Sequence, residues 1–126
     1  MSNMNTCIFC KIEKEKIIAE NDQCFAIFDG FPVSAGHVLI IPRRHVANYF
    51  ELSSEEVMAM QSLMKELKVQ LDQAFCPDGY NIGVNVNAAA GQTVFHVHMH
   101  LIPRYDGDVD NPKGGVRGVI PNKQKY

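Results

Sequence analysis

The sequence has no excess of basic charge: 12 Lys and Arg stand against 14 Asp and Glu, a net charge of −2. Nucleic acids and anionic membrane surfaces are gripped by basic patches, so neither is expected as a partner. No apolar run approaches the roughly 20 residues needed to cross a bilayer. Residues 1–6 are polar apart from two Met, which argues against a secretory leader and for a cytoplasmic protein. Internal repeats and linker-like stretches are also missing. With 126 residues and 46% hydrophobic content, the chain reads as a single domain, 1–126, with enough apolar side chains for one core.

Histidine is scarce, and its placement is uneven. Three of the five His lie within residues 94–104, V-F-H-V-H-M-H-L-I-P-R. Strict alternation predicts a strand. Phe95, Val97, Met99 and Leu101 then share one face, and His96, His98 and His100 share the other. Neighbours on one face are about 6.5 Å apart, so three imidazoles form a row while the apolar side anchors the strand. Three readings are open: an ordinary amphipathic strand, a metal centre built from the His row, or nucleophilic catalysis by a neutral imidazole.

Cysteine is also sparse. Four Cys in a cytoplasmic chain are expected to be reduced, and Cys7-Ile8-Phe9-Cys10 has a spacing that lets two thiolates reach one tetrahedral ion. Two more ligands are then needed; His45 and one His of the row are the candidates. The alternative is a pair of small buried hydrophobes near a turn.

The rest of the chain supplies a scaffold. Residues 8–15 are compatible with a short helix carrying Ile8, Phe9 and Ile12 on an apolar face. Residues 24–28 and 37–41 are apolar strands, the second ended by Pro42. Ser53-Ser54-Glu55-Glu56 is a capping box, and the helix it opens runs to about Phe75. Its apolar stripe is Val57, Met60, Met64, Leu67, Leu71 and Phe75. It should cover the sheet face that includes Val97, Met99 and Leu101. Residues 80–87 alternate as a strand with Asn85 on the polar face, antiparallel to the His strand through a loop containing Gly91. From about residue 105 the chain becomes an irregular extension rich in Gly and Pro.

The pattern H-V-H-M-H-L-I, preceded by G-Q-T-V and, upstream, by G-H-V-L-I-I-P, resembles the histidine-triad (HIT) family over nearly the whole chain. The resemblance implies an α+β HIT-like fold, with about five antiparallel strands, one long helix and a short N-terminal helix, assembled as a homodimer. It implies a purine nucleotide hydrolase acting at the α-phosphate through a covalent nucleotidyl-histidine on His98. His100, His37 and His96 complete the catalytic group. Asp29 would hold the ribose; Asn85, Gly91, Gln92 and Thr93 would meet phosphate; Ile8, Phe9, Ile12 and Phe28 would line the base pocket. Related uridylyltransferases place zinc on the His two before the nucleophile, which implies a structural zinc on Cys7, Cys10, His45 and His96.

The G-Q-T-V approach and the H-L-I-P-R ending are similar to the dinucleoside-polyphosphate hydrolases of the Fhit-like branch. Asp29 and Asn85 are similar to the Hint-like branch, which favours nucleoside phosphoramidates. A nucleotidyltransferase, a nucleotide-binding regulatory module and a metal-dependent hydrolase remain as alternatives. The tail segment 114–121 also resembles the family's bacterial members, with Arg117 able to meet an anionic substrate.

Overall fold

The computed structural model describes residues 3–126; Met1 and Ser2, the start of the stretch 1–6 read above as arguing against a secretory leader, lie outside the described residues. Five strands form one antiparallel sheet: β1 (Ile17–Glu20), β2 (Cys24–Phe28), β3 (Val38–Pro42), β4 (Gly79–Val84) and β5 (Met99–Arg104). The order across the sheet is β1-β2-β3-β5-β4. One long helix, α1 (Ser54–Phe75), lies between β3 and β4 in the chain. This is the α+β arrangement expected from the sequence.

The capping box forms as the Ser-x-x-Glu motif predicts. Ser53 Oγ accepts from Glu56 N at 3.1 Å, and Glu56 Oε1 accepts from Ser53 N at 2.8 Å. These bonds satisfy backbone donors that the first turn of a helix leaves without partners. The buried stripe of α1 is Met60, Leu63, Leu67 and Leu71; Leu63 belongs to it, whereas Met64 and Phe75 lie at its margin. Against this stripe pack Cys24, Ala26, Val38, Ile40, Val97, Met99 and Leu101. The other sheet face holds a second apolar cluster of Cys7, Phe9, Phe25, Ile27, Leu39 and Ile41. Alternation along β2 and β3 therefore sends every second side chain to the helix and the others to the face that carries the imidazoles.

Two elements differ from their sequence reading. The regular part of the His strand begins only at Met99. Before it, Val97 N donates to Val46 O at 2.8 Å, which draws residues 94–98 out of the sheet ladder. The N-terminal helical segment is a single 3-10 turn, Lys14–Lys16, later and shorter than 8–15. Residues 8–11 instead close a turn, with Lys11 N donating to Ile8 O at 3.3 Å, and this turn directs both thiols inward. β4 stops at Val84, so Asn85 stands just beyond the strand, in the connection to β5. The tail after Arg104 folds into two 3-10 turns, Gly115–Val119 and Pro121–Lys123. No described helix is long and apolar enough to cross a membrane.

Candidate functional site

Two side-chain clusters meet on the sheet face opposite α1, and His96 and His98 connect them. His98 Nδ1 is 2.9 Å from the backbone carbonyl of His96. A carbonyl only accepts, so Nδ1 carries the proton and Nε2 keeps a free lone pair. Phe9 lies edge-on to this ring, with centroids 5.0 Å apart, and limits its rotation.

The second ring is His100, whose Nδ1 is 2.9 Å from His37 Nε2. The direction of this bond follows from the next contact. Val33 N donates to His37 Nδ1 at 3.2 Å, so that nitrogen bears no proton and His37 holds its proton on Nε2. His100 Nδ1 then accepts, and its own proton stands on Nε2. Asp29 Oδ2 is 3.4 Å from His37 Nε2 and favours the same placement, while Asp29 Oδ1 accepts from Phe31 N at 2.8 Å. Burial pushes His37 below the usual imidazole range against the opposing pull of Asp29. Burial first, then His98 and His37, push His100 down to about 4. Both rings are therefore neutral near pH 7. His100 is a hydrogen-bond donor through Nε2, and the neutral His98 ring presents an Nε2 lone pair.

Asp29, His37 and His100 lie close enough together to be considered for a cation, but their chemistry opposes it. A metal on His37 Nε2 would require the proton on Nδ1, where Val33 N–H already points. The trio is a hydrogen-bonded chain.

The other cluster does suit a metal. The donor atoms of Cys7, Cys10, His45 and His96 lie within 4.8 Å of one another. Cys7 Sγ is 3.4 Å and Cys10 Sγ 3.5 Å from His96 Nδ1, and Cys10 Sγ is 3.2 Å from His45 Nδ1. Tetrahedral zinc, with bonds of about 2.0–2.3 Å, spaces its donors roughly 3.5 Å apart. His96 Nε2 donates to Pro42 O at 2.7 Å, which leaves Nδ1 bare and aimed at the two thiols, the outer support that ligating imidazoles commonly have. Burial and Cys7 push the Cys10 thiol up to about 11, so a thiolate there calls for a cation. All four Cys are free thiols.

Several residues expected at the site are placed elsewhere. Gln92, expected on phosphate, is buried, and its amide is spent on backbone. Oε1 accepts from Asn87 N at 2.8 Å, and Nε2 donates to Ala47 O at 2.8 Å and Val94 O at 3.1 Å. It braces the loop rather than contacting a ligand. Phe28, expected in the base pocket, is on the helix face against Phe75, with centroids 6.2 Å apart. Ile27 and Leu39 hold the positions on the imidazole face, beside Phe9 and Ile12; alternation along β2 and β3 was the signal for them. Ile8 is exposed. His37, expected in the catalytic group, is 3% exposed, with both ring nitrogens engaged by Val33 N and His100 Nδ1. Thr93 is exposed, and Gly91 has φ +93, a conformation that favours glycine.

The two Arg after β3 are paired rather than free for anions: Arg43 with Glu20 at 2.6 Å and Arg44 with Glu56 at 2.9 Å. Arg117 donates to Lys123 O at 2.8 Å and Gln124 O at 3.1 Å, within the tail itself.

Known proteins share this arrangement. Residues 11–107 match the HIT domain. A 16.1 kDa HIT-like protein of Mycoplasma pneumoniae is 43% identical over 106 residues, covering 81% of this chain and 74% of that protein. An adenosine 5'-monophosphoramidase of Schizosaccharomyces pombe is 40% identical over 103 residues, covering 79% of this chain and 74% of that one. The crystal structure of a zinc-bound histidine triad family protein from Mycobacterium smegmatis superposes with a TM-score of 0.76 at 32% identity, covering 84% of this chain and 80% of that one. With its domain matched across most of its length, its sheet and helix reproduced and its imidazole row in place, the chain belongs to the HIT family.

Proposed function

We propose that the protein is a purine nucleotide hydrolase that cleaves at the α-phosphate through a nucleotidyl-histidine. One observation carries the reading: the 2.9 Å contact from His98 Nδ1 to the His96 carbonyl commits Nδ1 to donation and makes Nε2 the nitrogen available for attack. His98 Nε2 attacks phosphorus as the bond to the leaving group breaks, and the leaving group takes a proton from solvent. Water then attacks phosphorus and gives up a proton to solvent, the P–N bond to His98 breaks with its electron pair returning to Nε2, and a nucleoside monophosphate is released. Splitting one displacement into two lowers each barrier. His100 Nε2–H supplies a donor to charge building on the phosphate oxygens. Asn85, Thr93 and the backbone at Gly91 are proposed phosphate contacts, and Asp29 the ribose contact. Phe9, Ile12, Ile27 and Leu39 are proposed to take the base.

The monophosphoramidase name of the fission-yeast relative supports a nucleoside phosphoramidate over a dinucleoside polyphosphate as the first substrate to try. The test is intact-mass spectrometry after rapid quenching with adenosine phosphoramidate. Wild type should gain one adenylyl mass and release AMP. His98→Asn should bind nucleotide yet show no adduct and no turnover. Adduct formation in His98→Asn would refute the nucleophile. Binding without turnover in wild type would favour a regulatory module. Transfer of the adenylyl group to added phosphate would favour a nucleotidyltransferase.

We further propose zinc on Cys7, Cys10, His45 and His96, a cytoplasmic location where those thiols stay reduced, and a homodimer. Support for the dimer comes from the family resemblance and from Ile82, an exposed apolar side chain on β4 beside Tyr80 and Met64.

A further inference from the structure

The segment 29–36, between β2 and β3, carries the Val33 N–H that fixes the His37 tautomer. Its outer side chains are open to solvent: Phe31 is 90% and Val33 71% exposed. Within the loop, Phe31 N donates to Asp29 Oδ1 at 2.8 Å and His37 N to Ser34 O at 3.2 Å. Two hydroxyls next to Val33 add ties to another strand. Ser34 Oγ donates to Pro103 O at 2.6 Å, and Tyr105 O–H donates to Ala35 O at 2.6 Å. Pro103 belongs to β5 and Tyr105 directly follows it, so both bonds tie the loop to the strand that carries His100. Gly36 closes the loop with φ +88, where a Cβ would come within 2.9 Å of the Phe75 ring.

The chain from Val33 N–H through His37 to His100 has two possible polarities. In the one observed, protons sit on His37 Nε2 and His100 Nε2. In the reverse, His37 carries Nδ1–H, His100 donates through Nδ1 to His37 Nε2, and His100 Nε2 becomes a bare acceptor. The number of protons is the same in both, but only the first offers a donor to a phosphate oxygen; a bare acceptor would repel it. We propose that Ser34 and Tyr105 are positioning residues that clasp the 29–36 loop to β5 and thereby hold His100 as an Nε2–H donor. The proposal rests on the functional reading above for what His100 faces. The clasp itself can be read without substrate.

The experiment uses the full-length protein with 15N-labelled histidine, compared with Ser34→Ala/Tyr105→Phe. Imidazole correlation spectra near pH 7 report which ring nitrogen of each neutral His is protonated. Wild-type His37 and His100 should both be Nε2–H. The double variant should shift both toward a tautomer mixture while His98 stays Nδ1–H, which also reports an intact fold. With adenosine phosphoramidate, kcat should fall about tenfold and KM change less than about twofold, a partial loss of the roughly 10²–10³ that a positioned donor supplies. Tyr105→Phe alone should shift the spectra less, in the same direction. An Nδ1–H His37 in wild type, an unshifted spectrum in the double variant or an unchanged kcat would each overturn the clasp. A wild-type chain that turns over no nucleotide would overturn the proposed function instead, and the spectra would still decide the clasp.

Discussion

At the scale of single residues, hydrogen-bond partners decide what each side chain can do. His98 was legible from the alternation and the motif, because a strand with three His on one face leaves few ordinary explanations. Gln92 was not. Its type and position suit a phosphate contact, and only the three-dimensional path of residues 87–94 turns its amide inward. We expect Gln92→Ala to lower stability by about 1–3 kcal/mol, since a backbone donor and two half-buried carbonyls lose their partner together. Chemical denaturation of the variant measures it, and an unchanged midpoint would mean water replaces the amide at no cost. Phe28 was misread for a simpler reason. It shares a face with Cys24 and Ala26, and the β2 alternation, taken alone, already put it on the helix side.

At the scale of elements, local signals worked where they were dense. The α1 start came from four residues, and the structure reproduces both halves of that capping box. Ser53→Ala should cost about 1 kcal/mol. Leu67→Ala, in the middle of the buried stripe, should cost about 2–5 kcal/mol through the cavity it leaves. Urea melts of the two variants should rank in that order; the reverse order would mean the cap network with Arg44 outweighs the core. β1 escaped notice because it has only four residues and a bulge between Ile17 and Ala19 interrupts its register. The early end of β5 regularity was hidden too. It depends on Val97 pairing with Val46, a contact between segments far apart in sequence.

At the scale of the whole molecule, burial of neutral imidazoles couples stability to pH. His100 binds its proton near pH 4 when folded and near 6.5 when unfolded. Between those values the unfolded chain binds more protons, so stability falls as pH drops from 6.5 toward 4, by about 3 kcal/mol at most from this residue. His37 acts in the same direction. The stability gap between wild type and His100→Asn, followed by thermal melts, should therefore narrow across that interval; a constant gap would contradict the assignment. Metal analysis of the purified protein should find about one zinc per chain, lost in Cys7→Ser/Cys10→Ser together with several degrees of melting temperature. Metal-free wild type with an unchanged melt would remove zinc from the account. Of the four proposed ligands, Cys7, Cys10 and His45 were legible as candidates from the residues, and the family resemblance singled out His96 from the row; the fold brings all four together.

The two faces of the sheet also bear on how this protein can change over generations. Met99 and Leu101 face the helix, while His98 and His100 face the opposite cluster, so adjacent codons answer to different selective pressures. An apolar exchange at the odd positions acts on packing against α1, whereas a change at the even positions acts on the proposed site. His96 is the exception to this independence. Its ring belongs to the thiol cluster and its carbonyl accepts from His98, so on the proposed mechanism a lineage that abandons the cysteines must still keep the backbone here in place. Loss of the proposed zinc and loss of the proposed catalysis are thus separable histories, but only while residue 96 holds its course.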